Sequence, residues 1–149
     1  EKAVDVLSPE IKLLVVCGRN RRLYERIKRK NYGSVRLFGF VEGMQGLMSQ
    51  ADIIITKPGG STIAEALAME LPLVFIKGIP GQETENARIL RAYGCAIAAE
   101  RLKSLKDIVT DLKTHPQMLE SMRNNIRKVK KSNAAEEICR YVKEICTLR

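Results

Sequence analysis

The sequence predicts an α/β protein with a doubly wound parallel sheet, on two observations: short apolar runs alternate with amphipathic segments, and glycine turns stand where those runs end. Ile11 to Cys17, Val35 to Phe38, Asp52 to Thr56, Leu73 to Lys77 and Cys95 to Ala99 are near-continuously apolar, as strands of a sheet covered on both faces must be. Helical patterns fill the gaps: Arg21 to Lys30, Met44 to Gln50, Thr62 to Met69 and Thr84 to Tyr93. Strand, helix and strand in that order imply right-handed crossovers between parallel strands. Beyond Ala99 the runs stop. Leu102, Leu105, Ile108, Val109 and Leu112 recur at helical spacing, as do Ile138, Tyr141, Val142, Ile145 and Leu148, so the last third of the chain is expected to be helical. His115-Pro116 separates two of these helices, because proline disfavours a helical conformation in the residue before it.

Composition limits what such a fold can do. The 149 residues are read as one domain, 1–149, with 45% hydrophobic and 5% aromatic residues, a balance that suits a globular core and not a disordered tail. No apolar run approaches the ~20 residues a membrane-crossing helix needs, and Glu1-Lys2 opens no secretory signal. Cys17, Cys95, Cys139 and Cys146 show no CxxC spacing and accompany a single histidine, His115. That pattern suggests neither a zinc site nor a disulfide framework, and the expected setting is the reduced cytoplasm. The net charge is +9, and seven of the twelve residues from Arg19 to Lys30 are basic. A second group comprises Arg123, Arg127, Lys128, Lys130 and Lys131. Either cluster could be a solvated helix face or a contact for an anionic membrane surface. A nucleic-acid partner is disfavoured, because no aromatic platform for base stacking accompanies the charge.

Ligands of open parallel sheets bind where strands run into helices. After the run Ile53 to Ile55 comes Thr56-Lys57-Pro58-Gly59-Gly60-Ser61-Thr62, whose glycines would let a phosphate or diphosphate reach the helix start. Neither GxxxxGK nor GxGxxG is present, which excludes a P-loop and the dinucleotide fingerprint. Thr62-x-x-Glu65 matches a capping box, yet a carboxylate one turn into such a helix also suits ribose hydroxyls. The spacing leaves both readings open. After the next run, Ile79-Pro80-Gly81-Gln82-Glu83-Thr84-Glu85-Asn86 offers Gln82, Glu83 and Asn86 either as helix caps or to the hydroxyls of a sugar. Both turns should open on one edge of the sheet and share a ligand.

The segments "LLVVCGRN", "GFVEGM" and "ITKPGGSTIAEALAMELPLVFIKGIPGQETENARIL" resemble the C-terminal, donor-binding domain of GT-B glycosyltransferases of the diacylglycerol glucosyltransferase and monogalactosyldiacylglycerol synthase type. The resemblance implies a Rossmann-like half of a GT-B fold and inverting transfer from a UDP-hexose to a membrane lipid such as diacylglycerol, with no cofactor or metal. It further implies that the backbone near Phe40 and Val41 holds uracil. Gly59, Gly60, Ser61 and Thr62 would cradle the diphosphate, Glu65 would bind ribose, and Gln82 and Glu83 would bind the sugar. Gly18 and Asn86 are counted with them as substrate-binding. No catalytic residue is expected in this chain: the base and the lipid contacts would belong to an N-terminal acceptor domain absent from these residues, which are expected to be a fragment of the whole enzyme, inactive by itself. The implied location is the cytoplasm, peripheral to the inner face of the cell membrane. A nucleotide-sugar epimerase of related fold is the alternative, as is a basic module that binds a membrane or nucleic acid.

Overall fold

All five apolar runs form strands in the computed structural model, which describes residues 1–78, 80–131 and 133–147. Ile79 of the second turn and Leu148 of the last helical pattern lie outside the described residues. The strands are β1 (Leu13–Val16), β2 (Val35–Phe38), β3 (Ile54–Thr56), β4 (Leu73–Phe75) and β5 (Ala96–Ala98). Between and after them run α1 (Lys2–Leu7), α2 (Arg21–Arg29), α3 (Gln45–Met48), α4 (Gly60–Ala68), α5 (Gln82–Ala92), α6 (Leu102–Thr114), α7 (Pro116–Val129) and α8 (Ala134–Thr147).

Every pairing is parallel, but among the described residues the strands form two small sheets, β1-β2 and β3-β4-β5, where the sequence suggested one layer. An apolar run marks a strand and says nothing of its neighbour, and strands three or four residues long offer few groups for a continuous ladder. The two sheets nevertheless share a core, because Leu13 of β1 packs with Ile53 and Ile55 around one buried cluster.

β4 explains how that core is divided. Successive side chains of a strand point to opposite faces, and all three residues of β4 are buried. Leu73 and Phe75 join Ile63, Ala66, Leu90 and Ile126, which come from α4, α5 and α7. Val74 faces the other way, toward Leu7 of α1 and Leu105, Val109 and Leu112 of α6. Helices therefore cover both faces of the sheet, the doubly wound arrangement that the alternating pattern predicts.

Helix boundaries hold one correction with consequences for the site. α4 begins at Gly60 with Gly59 as its N-cap, two residues ahead of the expected start at Thr62, and α5 begins at Gln82 with Gly81 as its N-cap, ahead of Thr84. Thr62 thus occupies the third helical position and cannot be an N-cap, so the capping box with Glu65 does not form. Glycine is a poor helix former and reads as a break in the pattern, although it is accepted at the N-cap. At its other end α4 closes through Glu70 in the left-handed region, φ 54°, with the Leu71 N–H donating to the Ala66 carbonyl at 2.8 Å. His115 separates α6 from α7 as expected, with Pro116 at the first position of α7.

Candidate nucleotide-sugar site

The first turn leaves the end of β3 and enters α4. Residues Gly60, Ser61 and Thr62 make up the opening of the helix, and the first intrahelical bond runs from the Ile63 N–H to the Gly59 carbonyl, 3.0 Å. The N–H groups of those three residues consequently lack intrahelical acceptors and mark the positive end of the helix dipole. Gly59 has an ordinary extended conformation, φ −79° and ψ 134°, so no backbone constraint demands glycine there. A methyl group built on Gly60 would meet no atom within 4 Å. Ser61 is exposed, Thr62 and Glu65 are half-buried, and among the described residues none of their side chains has a hydrogen-bond or ion-pair partner.

The second turn is built differently. Gly81 has φ 106° and ψ −127°, a conformation that side chains resist and glycine accepts. Gly78 is hemmed in: a methyl group there would lie 2.8 Å from Pro58 Cδ and 2.9 Å from Glu83 Oε2. Two contacts tie this turn to the first. Lys57 Nζ meets Glu83 Oε1 at 2.6 Å, and Asn86 Nδ2 donates to the Pro58 carbonyl at 3.1 Å. β3 and β4 are paired in parallel with Thr56 opposite Phe75, so both turns leave the same carboxyl edge. Gly59 to Thr62, Glu65, Gln82, Glu83 and Asn86 therefore gather around one edge.

Gly18, Phe40 and Val41 form a second group at the carboxyl ends of β1 and β2. The Gly18 N–H donates to the Gly39 carbonyl at 3.1 Å, and Gly18 itself has φ 56°. Phe40 is 61% exposed, with the Arg19 guanidinium 5.0 Å above its ring centroid, a cation–π arrangement. Beside it Cys17 is buried, and loss of solvent pushes its thiol above the usual range, which makes it a poor nucleophile.

Sequence reasoning missed three features. Lys57, just past β3, is paired with Glu83, a residue 26 positions away in sequence. Asn86 donates one hydrogen bond to the Pro58 carbonyl, which makes it a brace between turns. Asn20 caps α2 by accepting from the Leu23 N–H at 3.0 Å, and its place just before a helical pattern is the signal that could have found it.

The two basic clusters are unlike one another. Arg26 and Lys30 hold Glu1 at 3.0 and 3.1 Å, and Lys30 also meets Asp5 at 2.7 Å. Lys30 and the Tyr32 hydroxyl together hold the Asp5 carboxyl below its ordinary value. In the C-terminal group Arg127 and Lys130 clamp Glu70 at 2.6 and 2.5 Å, while Arg123 reaches Asp52 at 3.8 Å. Arg21, Arg22, Lys28 and Arg29 remain exposed on α2.

Known proteins resemble this chain over most of its length. Residues 1–138 match the family model "Glycosyltransferase family 28 C-terminal domain". The processive diacylglycerol beta-glucosyltransferase of Bacillus pumilus (strain SAFR-032) is 33% identical over 142 residues, covering 93% of this chain and 37% of that protein. The enzyme of the same name from Bacillus subtilis (strain 168) is 35% identical over 136 residues, covering 89% of this chain and 36% of that one. Among solved structures, Acinetobacter baumannii MurG superposes with a TM-score of 0.77 at 22% identity, over 96% of this chain and 46% of that one. Glycosyltransferase VinC, solved in complex with dTDP, superposes with a TM-score of 0.67 at 17% identity, over 96% and 37%. These neighbours carry the GT-B fold, and this chain has the fold of one half of it. The chain spans little more than a third of the curated relatives it matches, and it belongs to the glycosyltransferase family 28 C-terminal domain family.

Proposed function

We propose that this chain is the donor-binding half of an inverting hexosyltransferase that moves a sugar from a UDP-hexose to a membrane lipid such as diacylglycerol. One observation carries the reading: the bare N-terminus of α4, with Ser61, Thr62 and Glu65 unpartnered among the described residues, stands beside a second turn braced against it by Asn86 and Lys57. The relatives reported above are glycosyltransferases, which favours transfer over epimerisation.

In this reading the N–H groups of Gly60, Ser61 and Thr62 and the two hydroxyls take the diphosphate. The Glu65 carboxylate, no longer committed to a cap, accepts from ribose hydroxyls. Gln82 and Glu83 serve the sugar, and the strand end at Gly18, Phe40 and Val41 takes uracil. As the bond from the anomeric carbon to the diphosphate breaks, negative charge grows on the departing oxygen. Helix N–H groups and hydroxyls already aimed there stabilise that charge without reorganising. Activating the acceptor hydroxyl is assigned to a part of the protein beyond these residues, because the geometry here is all donor-side.

Among the described residues no helix is long and apolar enough to cross a membrane. In this reading the whole protein works as a peripheral protein at the inner face of the cell membrane, with Arg21, Arg22, Lys28 and Arg29 of α2 available to anionic headgroups, each worth about 1 kcal/mol when well placed. Calorimetry on the complete protein containing this chain tests the donor. UDP and UDP-hexose should bind in preference to ADP; equal binding of ADP and UDP would refute the reading.

A further inference from the structure

β1 and β3 each present an open edge inside the fold. Among the described residues β1 bonds only to β2, and β3 only to β4. The Leu13 and Cys17 N–H groups donate to the Ser34 and Phe38 carbonyls, each at 2.9 Å, so by the alternation of a parallel ladder Leu14 and Val16 direct theirs to the opposite edge. In the same way the Ile54 N–H donates to the Pro72 carbonyl at 2.9 Å, which turns the Ile55 N–H away from β4. Every residue of β1 and β3 is half-buried, whereas β4, bonded on both sides, is wholly buried. Backbone groups taken from water without partners are costly, and an open edge is a template for another strand.

The two edges face one another. Ile97 of β5, Val74 of β4, Ile53 and Ile55 at β3, and Leu13 of β1 all pack around one cluster. No described residue of β2 joins it: Val35 and Leu37 pack instead with Val4, Cys17 and Ile27, a cluster that Leu13 also touches. β2 therefore lies on the far side of β1, and the two open edges meet between β1 and β3. We propose that a further strand of the same polypeptide, from the part preceding Glu1, runs parallel between β1 and β3 and joins the two sheets into one. Two observations choose this occupant over a second copy of the chain. α1 leads into β1, and a helix that enters a parallel strand is the return half of a right-handed crossover from a strand beside it. The matched family model is a C-terminal domain, and the chain covers 37% of a matched relative, so such relatives carry most of their length outside the matched residues. Set in a layer covered by helices, the strand is apolar on both faces, as β4 is. Gly18 follows β1 and Gly59 follows β3, so this strand fixes the distance between the two groups of candidate site residues. The inference concerns the sheet and stands apart from the donor reading.

Residue-resolved hydrogen exchange on the complete protein tests it. The Cys17 and Ile54 amides, already bonded toward β2 and β4, are the internal standards. The Leu14, Val16 and Ile55 amides should exchange within about tenfold of them, because the bonds of one cooperative unit open together. Alternate amides of an apolar stretch ahead of Glu1 should be protected to the same degree. Exchange at Leu14, Val16 and Ile55 more than about tenfold faster than the standards would overturn the proposal. So would protection that fades on dilution, as a second copy at the edge would give, or protection with no such stretch ahead of Glu1.

Discussion

Two glycine turns lie on one sheet edge, and the protein treats them in opposite ways. Gly78 and Gly81 are demanded by the protein itself, one by the crowding of Pro58 and Glu83 and the other by φ 106°. Gly59 and Gly60 answer to neither demand: Gly59 is in ordinary extended backbone, and the space over Gly60 is empty to 4 Å. A glycine with no internal reason to be glycine points outward, to something that must come close. In the proposed reading the second turn holds and the first receives.

The largest expected effect comes from breaking the held turn. Gly81→Ala puts a side chain into a conformation worth about 1–3 kcal/mol of strain. It should lower thermal stability clearly and also carry away donor affinity, because Glu83 and Asn86 enter α5 directly from this turn. Thermal unfolding together with UDP-hexose calorimetry measures both. An unchanged melting temperature would mean that Gly81 relaxes freely and that the contrast between the turns is false.

Next in size is Glu65→Gln. Since Thr62 is the third residue of α4 and Gly59 is the cap, Glu65 has no capping bond to lose, and stability should stay within about 0.5 kcal/mol as for other substitutions away from such features. UDP affinity should fall about tenfold if the carboxylate receives ribose hydroxyls, the scale of one charge-assisted hydrogen bond. A stability loss with affinity retained would return Glu65 to a structural role.

That outcome also bears on what was legible beforehand. The five strands were readable because apolar runs of the right length have few other uses, and the two turns were readable from glycines at the ends of Ile53 to Ile55 and Leu73 to Ile76. Helix starts were misplaced by two residues at both turns. The Ser/Thr capping signal drew the start of α4 to Thr62, whereas the chain begins its helix at Gly60, the residue whose propensity argues most against it. The Lys57–Glu83 and Asn86–Pro58 contacts span 26 and 28 positions, and no local spacing rule reaches that far. Gly78 escaped notice for the same reason, since its crowding comes from Pro58 and Glu83 and not from its neighbours in sequence. The residues of the candidate site were thus legible as types in order; what braces them was not.

A smaller effect, with two opposite signs, sharpens the comparison further. Gly60→Ala places a methyl group at the first position of α4, where nothing lies within 4 Å. Replacing glycine at a compatible helical site stabilises by about 0.4–1 kcal/mol, chiefly by restricting the unfolded chain. The melting temperature should rise slightly while UDP affinity falls, because the same methyl group occupies the approach to the N–H groups. Thermal unfolding and calorimetry on one sample decide it. A rise in both would show that nothing needs the space above Gly60.

The smallest effect belongs to the far end of the same helix, where α4 is clamped instead of bare. Glu70 is held by Lys130 at 2.5 Å and Arg127 at 2.6 Å, and those partners lower its carboxyl from the ordinary 4.5. A carboxyl whose value is depressed on folding contributes stability that is fully present above its unfolded value. That contribution is lost as pH falls through the lower folded value. The acid side of the stability profile, below about pH 4.5, should therefore be shallower in Glu70→Gln than in the unmodified protein. Near neutral pH the variant should be slightly less stable, since exposed ion pairs are screened and individually weak. Donor affinity at neutral pH should not change, because the clamp joins α4 to α7 and leaves the Gly60 end alone. Thermal unfolding across pH 3–7 with one UDP titration at pH 7 checks all three. A loss of UDP affinity in Glu70→Gln would mean that the clamp at one end of α4 sets the geometry of the other, and that holding and receiving are not divided between two turns but coupled through a single helix.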